Sequence, residues 1–155
     1  MDPRLRRAEK RDLPAVNGLA TELVSFEVDR ATSFDAVLAD PDHDLVVAEA
    51  DDTMVGYAHL MVYSDLTHGA LAGELLGLVV REDMRRQGIA TALVREIIRL
   101  ARERGVGELH ISTKPNNEAA KALYASMDAE VVGVQMEIDL TSEERSCPAP
   151  AREGA

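Results

Sequence analysis

Residues 75–104 constrain the fold of this chain more than any other stretch. The apolar run Leu75-Leu76-Gly77-Leu78-Val79-Val80 has the length and composition of a buried strand. Arg81-Glu82-Asp83-Met84 follows, and then Arg85-Arg86-Gln87-Gly88-Ile89-Ala90 opens a helical pattern. Its apolar residues Ile89, Ala92, Leu93, Ile97, Leu100 and Ala101 fall on one face, with charges on the other. A strand feeding an Arg- and Gly-containing turn at a helix start is the outline of an anion site. The first backbone N–H groups of a helix lack internal partners, and the macrodipole adds positive potential. Gly88 has no Cβ, so a phosphate can approach its backbone closely.

Composition narrows what that anion can be. With 155 residues and 46% apolar content, one domain with a real core is expected over residues 1–140. The Ser/Glu/Pro/Ala-rich tail, 141–155, is expected to be disordered. No run reaches the length of a membrane span, and the start lacks the apolar core of a signal peptide, so a cytoplasmic location is expected. The single cysteine, Cys147, lies in the tail and supplies neither a disulfide framework nor a thiolate metal site; no metal is expected. The net charge of −11 argues against nucleic acid as a partner. That charge is uneven: residues 12–80 carry −12 with Arg30 as their only cation, whereas 1–11 and 81–104 are each +3. Two readings stand for the acidity, a solvated or salt-adapted surface and attraction of a cationic substrate.

The remaining chain reads as strands first, then strands alternating with helices. Leu5 to Glu9 is a short strand, and Asp12 caps a helix with Leu13, Val16, Leu19, Ala20 and Leu23 at helical spacing. A short helix is expected near Ser33–Ala39 within the acidic segment Phe26 to Asp44. Residues 45–48 and 54–62 form a hairpin about Asp51-Asp52, and a loop through Asp65 and Gly69 leads to a strand at 74–80. After the long helix, stopped by Gly105 and Gly107, come a strand at 109–113, a helix from Asn117 to about Met127, and extended structure over Glu130 to Leu140. This order predicts an α/β mixed sheet with helices on both faces. Gly77 inside so apolar a strand marks a bulge or a close backbone approach.

Asn117 and Tyr124 lie seven residues apart on one helix face. If that helix starts near the anion turn, the Tyr124 hydroxyl hangs further into the same cleft, where it can protonate a leaving thiolate. The plainer alternative is a helix cap at Asn117 and a core aromatic at Tyr124.

Together these pieces resemble the GNAT superfamily of acetyl-coenzyme-A-dependent N-acetyltransferases. The family's Gln/Arg-x-x-Gly-x-Gly/Ala pattern is matched by Arg85, Gly88 and Ala90, and its Asn-x-x-Ala-x-x-Leu-Tyr pattern by Asn117, Ala120, Leu123 and Tyr124. The resemblance covers residues 4 to 140. It implies the GNAT fold: a central sheet of six to seven strands, the fourth splayed from its neighbour. It also implies acetyl-CoA as co-substrate. Leu78, Val79 and Val80 would pair with the pantetheine arm, and Arg86, Gln87, Gly88, Ile89, Ala90 and Thr91 would wrap the pyrophosphate. Arg81, Arg85 and Arg86 would stand near the 3′-phosphate, Asn117 would touch the cofactor, and Tyr124 would be the general acid beside the sulfur.

The implied reaction is direct attack of an amine on the thioester, so an ammonium acceptor needs a base. In the histone-acetylating branch a glutamate at the position of Glu74 is that base, which makes Glu74 the first candidate. His110 and His59 are weaker alternatives, and Ser112 occupies the position other members fill with glutamate. His68 would line the acceptor side. The acceptor is expected to be a cationic small amine or a protein amine. A rival reading is a non-catalytic acyl-CoA-binding module; a dinucleotide-binding oxidoreductase is disfavoured, since no Gly-x-Gly-x-x-Gly follows a strand. A homodimer is an assembly common in the family. One departure stands out: Asp128-Ala129 replaces the usual Gly-Phe after the Tyr124 helix, and 130–140 is short for two strands and a loop.

Overall fold

The computed structural model describes residues 2–24 and 28–141. The expected disordered tail beyond Thr141, with Cys147, lies outside them, as does Phe26.

The described residues form a five-stranded sheet in the order β1-β2-β3-β4-β5. β1 (Arg4–Arg7), β2 (His43–Ala50), β3 (Thr53–Asp65) and β4 (Ala70–Val80) form an antiparallel meander. β5 (Glu108–Ile111) lies parallel to β4. Asp51 and Asp52 both adopt positive φ, 49° and 56°, the conformation that closes a two-residue hairpin with the right twist. The sheet therefore has fewer strands than the six to seven expected. Among the described residues, no strand is assigned over Glu130 to Leu140, where extended structure was expected.

Helices cover both faces. α1 (Leu13–Val24) and α2 (Ala31–Ala39) bury Val16, Leu19, Ala20 and Phe34 against Leu45, Val47, Tyr57 and Val79. Leu23, at the same helical spacing, is exposed. On the other face, α3 (Ile89–Glu103) sets Ile89, Leu93, Val94, Ile97, Leu100 and Ala101 against Val46, Ala48, Ala58, Leu60, Val62, Leu75 and Val80. Burying each such aliphatic side chain stabilises the fold by about 1.5–3 kcal/mol. α4 (Glu118–Ala125) adds Leu123 and Tyr124 to the rim of this core.

Several boundaries differ from expectation. β3 and β4 run on to Asp65 and back from Ala70, so Glu74 sits within β4 rather than opening it. Asp12 does not cap α1. It ends a 3-10 turn (Lys10–Asp12), accepts the Glu9 backbone N–H at 2.7 Å, and pairs with Arg6. A carboxylate with two better donors at hand is drawn away from the helix start.

Charge segregation along the sequence is partly folding complementarity. Arg6 binds Asp12 and Glu49, while Arg7 and Arg104 converge on the buried carboxylate of Asp44. The basic islands thus neutralise part of the acidity of residues 12–80.

A cleft between β4 and β5

Three local irregularities shape the candidate site. The first is a bulge in β4: Leu60 stands opposite Leu75 and His59 opposite Gly77, so Leu76 is the extra residue. Gly77 therefore marks a bulge, as anticipated, and a Cβ there would meet only Tyr57, at 3.7 Å. The bulge also resets parity. Glu74 and Val79 are an odd number of residues apart, yet both oppose β3 residues of one face, Met61 and Tyr57.

The second irregularity is a splay. β5 pairs with β4 only from Ala72↔Glu108 to Leu75↔Ile111. From Leu76 to Val80, β4 has no strand on that side among the described residues. Leu78, Val79 and Val80, the residues expected to meet a pantetheine arm, all lie along this open edge.

The third is the turn into α3. Arg86 and Gly88 adopt positive φ, 62° and 84°, which arches the chain away from its own carbonyls. None of the backbone N–H groups of residues 86–91 has a partner among the described residues. A Cβ at Gly88 would meet nothing within 4 Å, so the space before the turn is open. Gln87, Gly88, Ile89, Ala90 and Thr91 thus line a ring of free donors at a helix N-terminus. Arg85 is engaged elsewhere, because its Nε donates to the Val80 carbonyl at 3.0 Å and ties the turn to β4. Arg81 is held by Asp83 at 2.6 Å, and the Arg86 side chain has no partner among the described residues.

Asn117 caps α4, its Oδ1 accepting the Ala120 N–H at 3.1 Å, and Tyr124 follows two turns later, half-buried against the α3-side core. Burial pushes the Tyr124 phenol above its usual range, so it remains protonated at neutral pH. Both plainer readings of this pair, a cap and a packed aromatic, are thus true of the structure. Neither conflicts with a role in the cleft.

Glu74 lies opposite Met61 on β3 and His110 on β5, so all three share a face. That face also carries Tyr63, whose hydroxyl is 3.0 Å from His110 Nδ1, and the pair His43–His59, with Nδ1 and Nε2 2.8 Å apart. Burial, helped by His43, pushes His59 down to about 4, so it is neutral at physiological pH. His68 stands apart, exposed and bonded to Asp65 in the β3–β4 turn. Tyr63 and His43 were not foreseen. The signal for them is period-two spacing with Met61 and His59, legible only once the full length of β3 is known. Depressions around Arg4, Glu49 and Asp52 lie at the β1 edge, the far side of the sheet, and gather no comparable set of groups. No group of three or more His, Cys, Asp or Glu suited to a metal occurs among the described residues.

The sequence model of the acetyltransferase (GNAT) family matches residues 5–128. Among curated proteins, the chain is 37% identical to human N-acetyltransferase 8 over 87 residues, which is 56% of this chain and 38% of that protein. The chain thus spans well under half the length of that relative. Among solved structures, an acetyltransferase of Trypanosoma brucei superposes with a TM-score of 0.78 at 21% identity, covering 90% of this chain and all of that one. An aminoglycoside acetyltransferase from an uncultured soil metagenomic sample, in complex with sisomicin, gives a TM-score of 0.78 at 19% identity over 89% of this chain and 96% of its own. At these identities the two structures speak to fold alone.

Proposed function

The chain belongs to the acetyltransferase (GNAT) family, and on that premise we propose that it transfers an acetyl group from acetyl-CoA to a primary amine, with Tyr124 and Glu74 as its proton-handling groups. The observation that carries the reading is the unpartnered donor ring at residues 86–91, set beside the unpaired β4 edge at 76–80. A coenzyme with a pyrophosphate and an amide-bearing arm has the anion for the ring and the peptide-like groups for the edge. When bound, acetyl-CoA supplies an activated acetyl thioester.

The chain's own groups do the rest. Gln87 through Thr91 and the Arg86 backbone hold the diphosphate with N–H donors. Leu78 to Val80 orient the arm by strand-like hydrogen bonds, which converts an encounter of two molecules into an ordered approach. Glu74, on the α1/α2 face, removes the proton from the acceptor ammonium, directly or through water, so that the free amine attacks. Tyr124, kept protonated by burial, delivers its proton to the departing sulfur. Tyr63 and His110 stand beside Glu74 as the route by which the acceptor's proton leaves the site.

The acceptor is a small cationic amine or a protein amine. A wall bearing Glu74 and a neutral His59 suits an ammonium group. Part of the acidity of 12–80 is consumed by Arg6, Arg7 and Arg104, so steering rests on the carboxylates left over. The test is thiol release from acetyl-CoA across a panel of polyamines, aminoglycosides, amino acids and peptide N-termini. Turnover restricted to multiply charged acceptors, weakening with salt, is the expected result; binding of acetyl-CoA with no turnover on any amine would leave a binding module instead.

A further inference from the structure

Two histidines sixteen residues apart in sequence, His43 and His59, meet across the β2–β3 hairpin. His43 stands opposite Met61, and His59 opposite Leu45, so both lie on the face that carries Glu74. Their contact runs from His43 Nδ1 to His59 Nε2 at 2.8 Å, with ring centroids 5.0 Å apart. Between two neutral imidazoles such a contact needs a proton on one nitrogen and a lone pair on the other. What the outer nitrogen of His43 meets decides which way round it runs.

That outer nitrogen faces a carboxylate. His43 Nε2 is 4.0 Å from Oδ2 of Asp40, the C-cap of α2. The turn holds Asp40 in place: its Oδ1 accepts the Asp42 N–H at 2.9 Å, and the His43 N–H donates to its carbonyl at 3.2 Å. A carboxylate can only accept, so its field draws the His43 proton onto Nε2 and leaves a lone pair on Nδ1. The Nε2–H of His59 then donates to that lone pair, and Nδ1 of His59 keeps a lone pair of its own. This last nitrogen has no partner among the described residues. Burial keeps a second proton off the His59 ring near neutral pH.

The free nitrogen borders an unfilled place on the sheet. The two nitrogens of an imidazole point in nearly opposite directions, so a ring whose Nε2 faces β2 turns Nδ1 toward β4. There the residue opposite His59 is Gly77, which has no side chain to fill the face. A Cβ at Gly77 would meet only the Tyr57 ring, at 3.7 Å. Glu74 stands opposite Met61, diagonal to His59, and such diagonal neighbours lie roughly 7–8 Å apart. A single nitrogen between them can reach both side chains.

We propose that Nδ1 of His59 receives one N–H of the acceptor ammonium above Gly77 while Glu74 takes another, and that Asp40 and His43 act through His59 as positioning residues. The proposal rests on the acetyl-CoA reading above, and it gives His59 a task other than that of a base: holding the amine without taking its proton. An alkylammonium has three N–H groups. Bonds from two of them, to His59 and to Glu74, fix the nitrogen at two points. Once Glu74 has taken its proton, the bond to His59 remains and orients the released lone pair for attack.

Two CoA thioethers test this without a known acceptor. S-(2-aminoethyl)-CoA carries an ammonium beside the sulfur, and S-ethyl-CoA is its neutral counterpart. Calorimetry at about pH 8, above the ordinary imidazole range, is expected to show wild type binding the ammonium ligand about tenfold or more tightly. His59→Phe is expected to remove most of that preference and to leave the affinity for S-ethyl-CoA unchanged. His59→Asn, whose amide oxygen stands where Nδ1 stood, is expected to restore it. Long-range proton–nitrogen correlation spectra of labelled wild type are expected to show His59 protonated on Nε2 alone. Its Nδ1 signal is expected to shift with the ammonium ligand and not with the neutral one. In His43→Phe the single tautomer is expected to give way to a mixture.

Equal affinity of wild type for the two ligands overturns the proposal. So does a preference that His59→Phe retains or that His59→Asn fails to restore, or a His59 that carries its proton on Nδ1. An unchanged tautomer in His43→Phe removes His43 and Asp40 as positioning residues. The wild-type spectra decide even where a variant fails to fold. Absence of binding by either thioether would instead overturn the acetyl-CoA reading, and this proposal with it.

Discussion

The hydroxyl of Tyr63 on β3 stands 3.0 Å from Nδ1 of His110 on β5, bridging across β4 on the face where Glu74 lies. Three strands thus place a carboxylate, an imidazole and a phenol on one face of the sheet. His110 Nε2 in turn lies 3.6 Å from the Glu108 carboxylate, at the solvent end of the row. A row of groups that can pass a proton from a half-buried face outward is what deprotonating an ammonium ion needs. The expected consequence is that Glu74→Gln lowers kcat/KM by about a hundredfold or more and removes the acidic limb of its pH profile. Tyr63→Phe keeps the carboxylate and is expected to cost about tenfold or less, with the limb intact. An unchanged limb in the Glu74 variant would exclude Glu74 as the base.

Tyr124→Phe keeps the ring that packs on the core and deletes only the hydroxyl. CoA affinity and thermal stability are expected to stay near wild type while kcat falls, by about a hundredfold or more if the phenol is the sole acid. Isothermal titration with CoA beside steady-state rates separates the two effects. Equal loss in both would mean that the residue merely shapes the cleft.

Gly88→Ala tests the donor ring. The site has room for a Cβ, so no clash arises, but φ of 84° is a left-handed conformation that an L side chain adopts at a cost of about 1–2 kcal/mol. Relaxing that angle turns the N–H groups of the turn away from a common focus. A lower melting temperature together with weaker CoA binding is expected; normal CoA binding would show that the turn's geometry is dispensable.

Arg6, Asp12 and Glu49 form a nearly buried triad joining β1, the first turn and β2. Hydrogen bonds from Arg6 hold both carboxyls below their usual range. Depressed carboxyls contribute stability that is fully present above their unfolded-state pKa values, about 4, and lost as pH falls through the lower folded values. Urea melts are therefore expected to show a steep loss of stability below about pH 4. Arg6→Gln is expected to cost on the order of 1–3 kcal/mol at pH 7 and to flatten that acid dependence. A variant whose acid dependence matched wild type would show that the triad is not its source.

What could be read from the sequence followed from how local the chemistry is. The strand–turn–helix at 75–104, the cap at Asn117 and the helical spacing to Tyr124 are contained in short contiguous stretches. Backbone geometry and side-chain period act within a few residues there, so the pattern carries the structure. Gly77 in an apolar strand announced the bulge for the same reason. Asp12 was misplaced because its partner, Arg6, sits on a strand, and a sequence does not say which donor reaches a carboxylate first. Tyr63 was missed because its meaning depends on a register shared by three strands.

Residue order was therefore enough for the family's fold, the strand–turn–helix at 75–104 and the polarity of the helices, since each rests on local conformational preference and on which face is apolar. Contacts between distant segments were needed for the wall of Glu74, His110 and Tyr63, the pairing of acidic segments with far-off arginines, and the fate of residues 130–140. The last is the plainest case. Their alternating pattern says strand, but a strand exists only where an edge receives it, and among the described residues no strand pairs with this segment.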